Sequence, residues 1–197
     1  MGIEVLVFDL GGVLVELDGP AIRPEWLPPG TTAQDLKAWL HSPLVRDFER
    51  GHISAEPFAQ ALVSQMRLNI SAEHWLAHFS AWPKGLFSGV EHLLAECHKK
   101  YRTAILSNTN ALHWPRMMAE MGLAGMVDHP FASHLLGLAK PDPAIFYRVQ
   151  GELDVDPAAI AFFDDNSENV IAARACGWQS WQVPKFNSLL EILNSLS

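Results

Sequence analysis

Short apolar runs recur along the chain, and three of them stop at an acid or a hydroxyl: Glu4–Asp9, Thr103–Ser107 and Ile160–Asp164. A fourth run covers Ser180–Val183. Their shortness and their β-branched and aromatic content predict buried strands. Between them, apolar residues recur at helical spacing, as at Val90, Leu93, Leu94 and Cys97, and again at Val170, Ala173 and Ala175–Cys176. Alternating strands and helices predict an α/β fold, a Rossmann-like parallel sheet covered on both faces. Such sheets bind ligands in the crevice beyond the carboxyl ends of their strands. Asp9, Ser107 and the pair Asp164–Asp165 are expected there.

The stretch from Glu16 to Pro83 has a different pattern, with no convincing strand and several helix starts. Thr32 precedes Asp35 at capping spacing. Ser42 followed by Pro43 gives an N-cap and a proline at the first helical position, and Gly51 can end that helix. Ser54 starts another, with Phe58, Leu62 and Met66 on one face, and Ser71 starts the next. The Pro- and Gly-rich stretch DGPAIRPEWLPPG is an irregular connection. The expected organisation is a core of residues 1–15 and 84–197, with residues 16–83 inserted as a small helical cap.

At 197 residues, 49% of them hydrophobic, the chain can bury one sizeable core with room for an insertion. Its net charge of −8 discourages general binding to nucleic acid or to an anionic membrane. No apolar stretch is long enough to span a bilayer. Two distant cysteines, Cys97 and Cys176, make no disulfide framework, and the N-terminus lacks a secretory signal; both point to a cytoplasmic protein. An acidic chain handling a phosphorylated metabolite would need local positive charge.

Four stretches carry candidate chemistry: FDLGGVLV, ILSNTN, LAKPDP and FFDDNSENVIAA. Phosphoryl transfer to a carboxylate needs a nucleophile at a fixed point and neutralised charge around the phosphate. Asp9 at a strand end supplies the fixed point, and Gly11 and Gly12 let backbone approach closely. Ser107 and Asn108 follow a strand where hydroxyl and N–H groups can hold phosphate oxygens, with Asn110 a lesser candidate. Two adjacent acids after buried residues, Asp164 and Asp165, are costly unless solvated, hydrogen-bonded or bound to metal. Mg²⁺ takes hard oxygen ligands of this kind. Taken singly, each motif also reads as a turn or a helix cap.

In this order, the four stretches resemble the haloacid dehalogenase-like (HAD) hydrolase superfamily. The cap stretch FERGHIS is similar to that of bacterial sugar-1-phosphate phosphatases and of the epoxide hydrolase phosphatase domain. The resemblance implies that Asp9 is the nucleophile of an aspartyl-phosphate and that Asp9, the Gly11 carbonyl and Asp165 ligate Mg²⁺. Asp164 is then a further ligand or an acceptor behind it. Ser107 and Asn108 would bind phosphate, and Lys140 would neutralise both nucleophile and phosphate. Asn166 or Asn169 would orient waters or the lysine.

The chain departs from the pattern at Gly11, where most such phosphatases carry a second Asp as general acid and base. Loss of such help costs about 10²–10⁴-fold, so esters with good leaving groups are expected to be favoured. Glu16 and Asp18 are the nearby carboxylates that could substitute, although solvated positions after a strand explain them more simply. His113, Trp114, Phe48 and Arg50 are candidate specificity positions. His74 and His78 share a helical face without an HExxH signature. Two rival readings are a haloacid dehalogenase, which has no use for the Asp164–Asp165 pair, and a non-catalytic phosphate-binding module.

Overall fold

The computed structural model describes residues 2–196. Among the described residues seven strands are present: β1 (Val5–Phe8), β2 (Val15–Leu17), β3 (Pro83–Leu86), β4 (Arg102–Ser107), β5 (His129–Ala132), β6 (Ile160–Asp164) and β7 (Gln179–Gln182). Five of them form a parallel sheet in the order β5-β4-β1-β6-β7. Because side chains alternate along a strand, the continuous apolar runs divide between two faces. Leu6, Phe8, Ile105, Ala161 and Phe163 pack on one side with α5 (Val90–His98) and α9 (Phe186–Ser195). Val5, Val7, Leu106, Ile160 and Phe162 pack on the other with α6 (Ser133–Leu136), α7 (Pro143–Leu153) and α8 (Ser167–Ala175).

The strand order places the site. From β1 the chain moves to β4 and β5 on one side, then returns to β6 and β7 on the other. The carboxyl end of β1 therefore lies at the switch point, where crossovers diverge and leave a crevice. Asp9 extends β1 there and donates its N–H to Phe163 O at 2.9 Å. Ser107 ends β4 beside it, and Asp164 ends β6 on the opposite side.

Three strands differ from the sequence expectation. β5 carries Pro130, which removes a ladder donor and is tolerated because β5 is an edge strand. β2 and β3 pair antiparallel at the two ends of the helical insertion, correcting the expectation that Glu16–Pro83 begins and ends without strand. Three or four residues containing Pro83 and Gly85 give too short a pattern to show alternation.

Between β2 and β3 lie α1 (Ala33–Leu40), α2 (Pro43–Glu49), α3 (Ala55–Met66) and α4 (Ala72–Ser80). Thr32 and Asp35 form a reciprocal capping box, and Ser42 and Ser71 accept from Val45 and His74 N–H. Ser54 occupies the N-cap position of α3 without a side-chain cap bond. These helices enclose their own apolar cluster, with Phe58, Leu62 and Trp75 buried at its centre, each contributing about 1.5–3 kcal/mol. Phe48 stacks on Phe58 at 4.0 Å within this cluster, so it is a packing residue and not a specificity position. His74 and His78 likewise pack edge-on against Trp26. Among the described residues, no helix is long and apolar enough to cross a membrane.

His113 ties the helical segment to the sheet. Its Nε2 lies 2.6 Å from Phe79 O at the end of α4, and because a carbonyl only accepts, this nitrogen carries the proton. Asn110 Nδ2 donates to Nδ1 at 3.3 Å. Burial pushes the imidazole down to about 4; the bond to Phe79 opposes this shift and Arg116 adds to it. Unfolded chain takes up a proton near pH 6.5, whereas the folded imidazole stays neutral. Stability from this group is therefore lost as pH falls from 6.5 toward 4, by on the order of 3 kcal/mol in full. The stability advantage of wild type over His113→Gln is expected to narrow as pH drops from about 7 to about 5. Urea denaturation of both proteins checks this, and a gap independent of pH would contradict the neutral assignment.

Candidate active site

Lys140 stands at the centre of the crevice, only 4% exposed, with each ammonium hydrogen directed at one oxygen. Nζ lies 2.6 Å from Asp164 Oδ2, 2.9 Å from Asp9 Oδ1 and 2.8 Å from Leu106 O. It also sits 5.3 Å from the Phe162 ring centroid, a further attraction for a cation. Burial works against the ammonium, but Asp164 and Asp9 outweigh it and hold the group above its usual value. Burial pushes the Asp9 carboxyl up to about 7; Lys140 pulls it back, while Asp164 and Asp165 add to the rise.

Asp164 and Asp165 differ in spite of being adjacent. Asp164 is fully buried, and its oxygens accept from Lys140, from Asn166 N–H and from Asn169 Nδ2. That set occupies its acceptor directions and makes it the residue that fixes Lys140. Asp165 is solvent-exposed, and partial burial together with the charge on Asp164 raises its carboxyl. Gly12 makes its approach possible: φ is +75°, and a Cβ there would lie 2.9 Å from Asp165 Oδ2. Any other residue would push this carboxylate out of the site.

One oxygen each from Asp9, Asp164 and Asp165 lies within 4.8 Å of the others. Three carboxylates against one ammonium leave a formal charge of −3 + 1 = −2 when all are ionised. Hard oxygens with excess negative charge fit a divalent cation such as Mg²⁺. Since Asp164 is already saturated, Asp9 and Asp165 are the side chains free to hold it.

A cavity of about 420 Å³ opens over this floor, lined by Asp9, Gly11, Ser107, Asn108, Lys140 and Asp165. Leu17, Leu40, Trp82 and Met117 also line it, so polar chemistry faces apolar surface. The volume lies within the range of small-ligand sites. The Asn108 side chain is committed to the protein itself. Its Oδ1 accepts from Lys140 N at 2.8 Å and its Nδ2 donates to Lys140 O at 2.8 Å and to Glu49 Oε2 at 3.3 Å. The Asn108 side chain thus clamps the Lys140 main chain, a positioning role. Asn110 is also committed, with Oδ1 accepting from Leu112 and His113 N–H.

Of the other sequence candidates, His113, Asn166 and Asn169 line the cavity, whereas Glu16, Asp18, Trp114 and Arg50 lie away from it. Glu16 pairs with Lys84 at 3.1 Å on the surface, and Asp18 is exposed. Trp114 sits edge-on to His134 and packs against the sheet core. Arg50 pairs with Asp142 at 3.4 Å and lines a neighbouring cavity of about 280 Å³. The residue that sequence reasoning passed over is Glu49, between Phe48 and Arg50, which borders both cavities. Ser133 was also passed over: its buried hydroxyl exchanges hydrogen bonds with Thr109 N and O and braces the loop after β4.

This geometry can be set beside known proteins. The family profile for haloacid dehalogenase-like hydrolases matches residues 3–177. A D-ribitol-5-phosphate phosphatase of Bacteroides thetaiotaomicron is 27% identical over 192 residues, covering 91% of this chain and 91% of that protein. A sesquiterpene phosphatase of Aspergillus oryzae is 31% identical over 181 residues, covering 88% of this chain and 86% of its own length. A solved structure of a HAD-family enzyme from B. thetaiotaomicron, in complex with magnesium and inorganic phosphate, superposes with a TM-score of 0.72 at 24% identity. The superposition covers 92% of this chain and 94% of that one, a likeness of fold. Sheet order, crevice and a match over most of the chain agree, and the protein belongs to the haloacid dehalogenase-like hydrolase family.

Proposed function

We propose that the protein hydrolyses a small phosphate monoester in a Mg²⁺-dependent reaction through a phosphorylated Asp9. The observation that carries this reading is the line of Asp9, Lys140 and Asp164, held at 2.9 and 2.6 Å, on the floor of one cavity with Ser107 and Asp165. A carboxylate fixed by an ammonium at a strand end is a preorganised nucleophile. Asp9 attacks phosphorus, Lys140 and the Ser107 hydroxyl meet the charge on the phosphoryl oxygens, and water then releases phosphate and regenerates Asp9. Mg²⁺ held by Asp9, Asp165 and the Gly11 carbonyl would supply the remaining positive charge.

The helical segment from Glu16 to Pro83 acts as a cap on the core of residues 1–15 and 84–197, and it limits substrate size and excludes water. Relatives named for D-ribitol-5-phosphate and phosphoglycolate support a small phosphorylated metabolite as substrate. A haloacid dehalogenase needs no acidic cluster of this kind, and the proximity of Asp165 to Asp9 favours the phosphatase.

Phosphate release from p-nitrophenyl phosphate, sugar phosphates and polyol phosphates tests the proposal, with Mg²⁺ and with EDTA. Release is expected with Mg²⁺ and should fall by at least about 10²-fold in EDTA, recovering when Mg²⁺ is restored. Release unaffected by EDTA would refute the metal requirement, and no release from any ester would refute the phosphatase.

A further inference from the structure

We infer that Glu49, supplied by the helical cap, is the general acid and base that the core lacks at Gly11. The inference rests on the phosphatase reading above.

Three anchors around the end of α2 turn this carboxylate inward. Phe48 is locked into the cap cluster beside it. Arg50, the next residue, is tied to Asp142 of the core. Gly51 follows with φ +73°, and a Cβ there would lie 2.6 Å from His134 O, so the end of α2 rests directly against core backbone. Between these anchors Glu49 Oε2 accepts from Asn108 Nδ2 at 3.3 Å, the amide that clamps Lys140. Glu49 borders the same cavity as Asp9 and Ser107. Glu16 and Asp18, the other acids near β2, face solvent.

The electrostatic setting suits proton transfer. Burial raises Glu49 to about 7 against the pull of Lys140; Asp9 adds to the rise, and Arg46 and Arg50 oppose it. Glu49 also borders a third cavity, of about 450 Å³, whose charged lining includes Lys37 and His41 near the end of α1 and Glu168 of α8. A carboxyl poised near neutrality is matched to both giving and taking a proton.

The two half-reactions balance through this one group. In the first, Asp9 forms a bond to phosphorus, the bond from phosphorus to the ester oxygen breaks, and the Glu49 proton goes to the departing alkoxide. In the second, the Glu49 carboxylate takes a proton from water as its oxygen attacks phosphorus. The bond between Asp9 and phosphorus breaks, releasing phosphate and leaving Glu49 protonated for the next turnover. A working Glu49 removes the reason to expect only esters with good leaving groups, and alkyl phosphates become competent substrates.

The test is Glu49→Gln, which keeps the oxygen that Asn108 contacts and removes the proton. Wild type and variant are compared on p-nitrophenyl phosphate and on an alkyl ester such as ribitol 5-phosphate. With the alkyl ester, kcat/KM is expected to fall about 10²–10³-fold, whereas the aryl ester should stay within about fivefold, its leaving group needing little protonation. Glu49→Asp should recover part of the alkyl rate. Equal losses of kcat/KM on both esters, or none on the alkyl ester, would overturn the role of Glu49 while leaving the phosphatase intact; kcat itself should fall on both, because the second half-reaction is shared. Absence of release from both esters by wild type would overturn both readings.

Discussion

Asp9→Asn is expected to abolish phosphate release while making the folded chain more stable above neutral pH. An asparagine amide cannot form the phosphorylated intermediate, and losing a nucleophile typically costs on the order of 10⁴–10⁶-fold in rate. The stability change comes from burial. Asp9 titrates at about 7 in the folded chain against 3.8 ordinarily. Between these values the folded state retains a proton that the unfolded state has released, so stability falls as pH rises through the window. Above about pH 7 the full cost applies, on the order of 4 kcal/mol without metal. The amide of the Asp9→Asn variant carries no such cost, and its carbonyl can still accept from Lys140. Denaturation in EDTA at about pH 4 and pH 8 should show the variant gaining on wild type only at the higher pH. Loss of stability at both pH values would mean that Asp9 holds the fold together, and retained turnover would exclude it as nucleophile.

That opposition between activity and stability explains what was legible in the sequence. β1, β4 and β6 are central and buried on both faces, so their apolar runs stand out, and the polar residues that end them mark the crevice. Asp9, Ser107 and Asp164–Asp165 could therefore be assigned to one edge from the chain alone. Their division of labour could not. Which of Asp164 and Asp165 is saturated depends on Asn169 and Lys140, brought in from separate turns of the chain. The contacts of the Asn108 side chain were equally hidden, because the Lys140 main chain, 32 residues on, comes within its reach only in the folded chain. Glu49 was hidden for a related reason. It lies in RDFER, a charged run that resembles a solvated helix face, and only docking of α2 on the core half-buries it beside the cavity. A sequence pattern reports how an element faces its own core, and says little about a carboxylate turned toward a second one.

Lys140→Met is expected to destabilise the protein most, by about 3–5 kcal/mol, because it leaves the fully buried Asp164 without its cation. The lysine has three oxygen partners within 2.9 Å and almost no contact with solvent, so water cannot replace the lost donors. Lys140→Arg should not rescue it: a planar guanidinium cannot direct donors to Asp9, Asp164 and Leu106 O from a single point. Phosphate release should fall about 10²–10³-fold in any fraction that folds, since charge on the phosphoryl group loses its nearest fixed cation. A double-mutant cycle with Asp164→Asn separates pairing from packing. If the cost is an unpaired charge, Lys140→Met/Asp164→Asn will be more stable than Lys140→Met alone, with a coupling of about 1–3 kcal/mol in urea denaturation. Additive losses would assign the cost to contacts of Lys140 other than its pairing with Asp164. The cycle reads stability alone, so it judges the ion pair independently of which ester the enzyme hydrolyses.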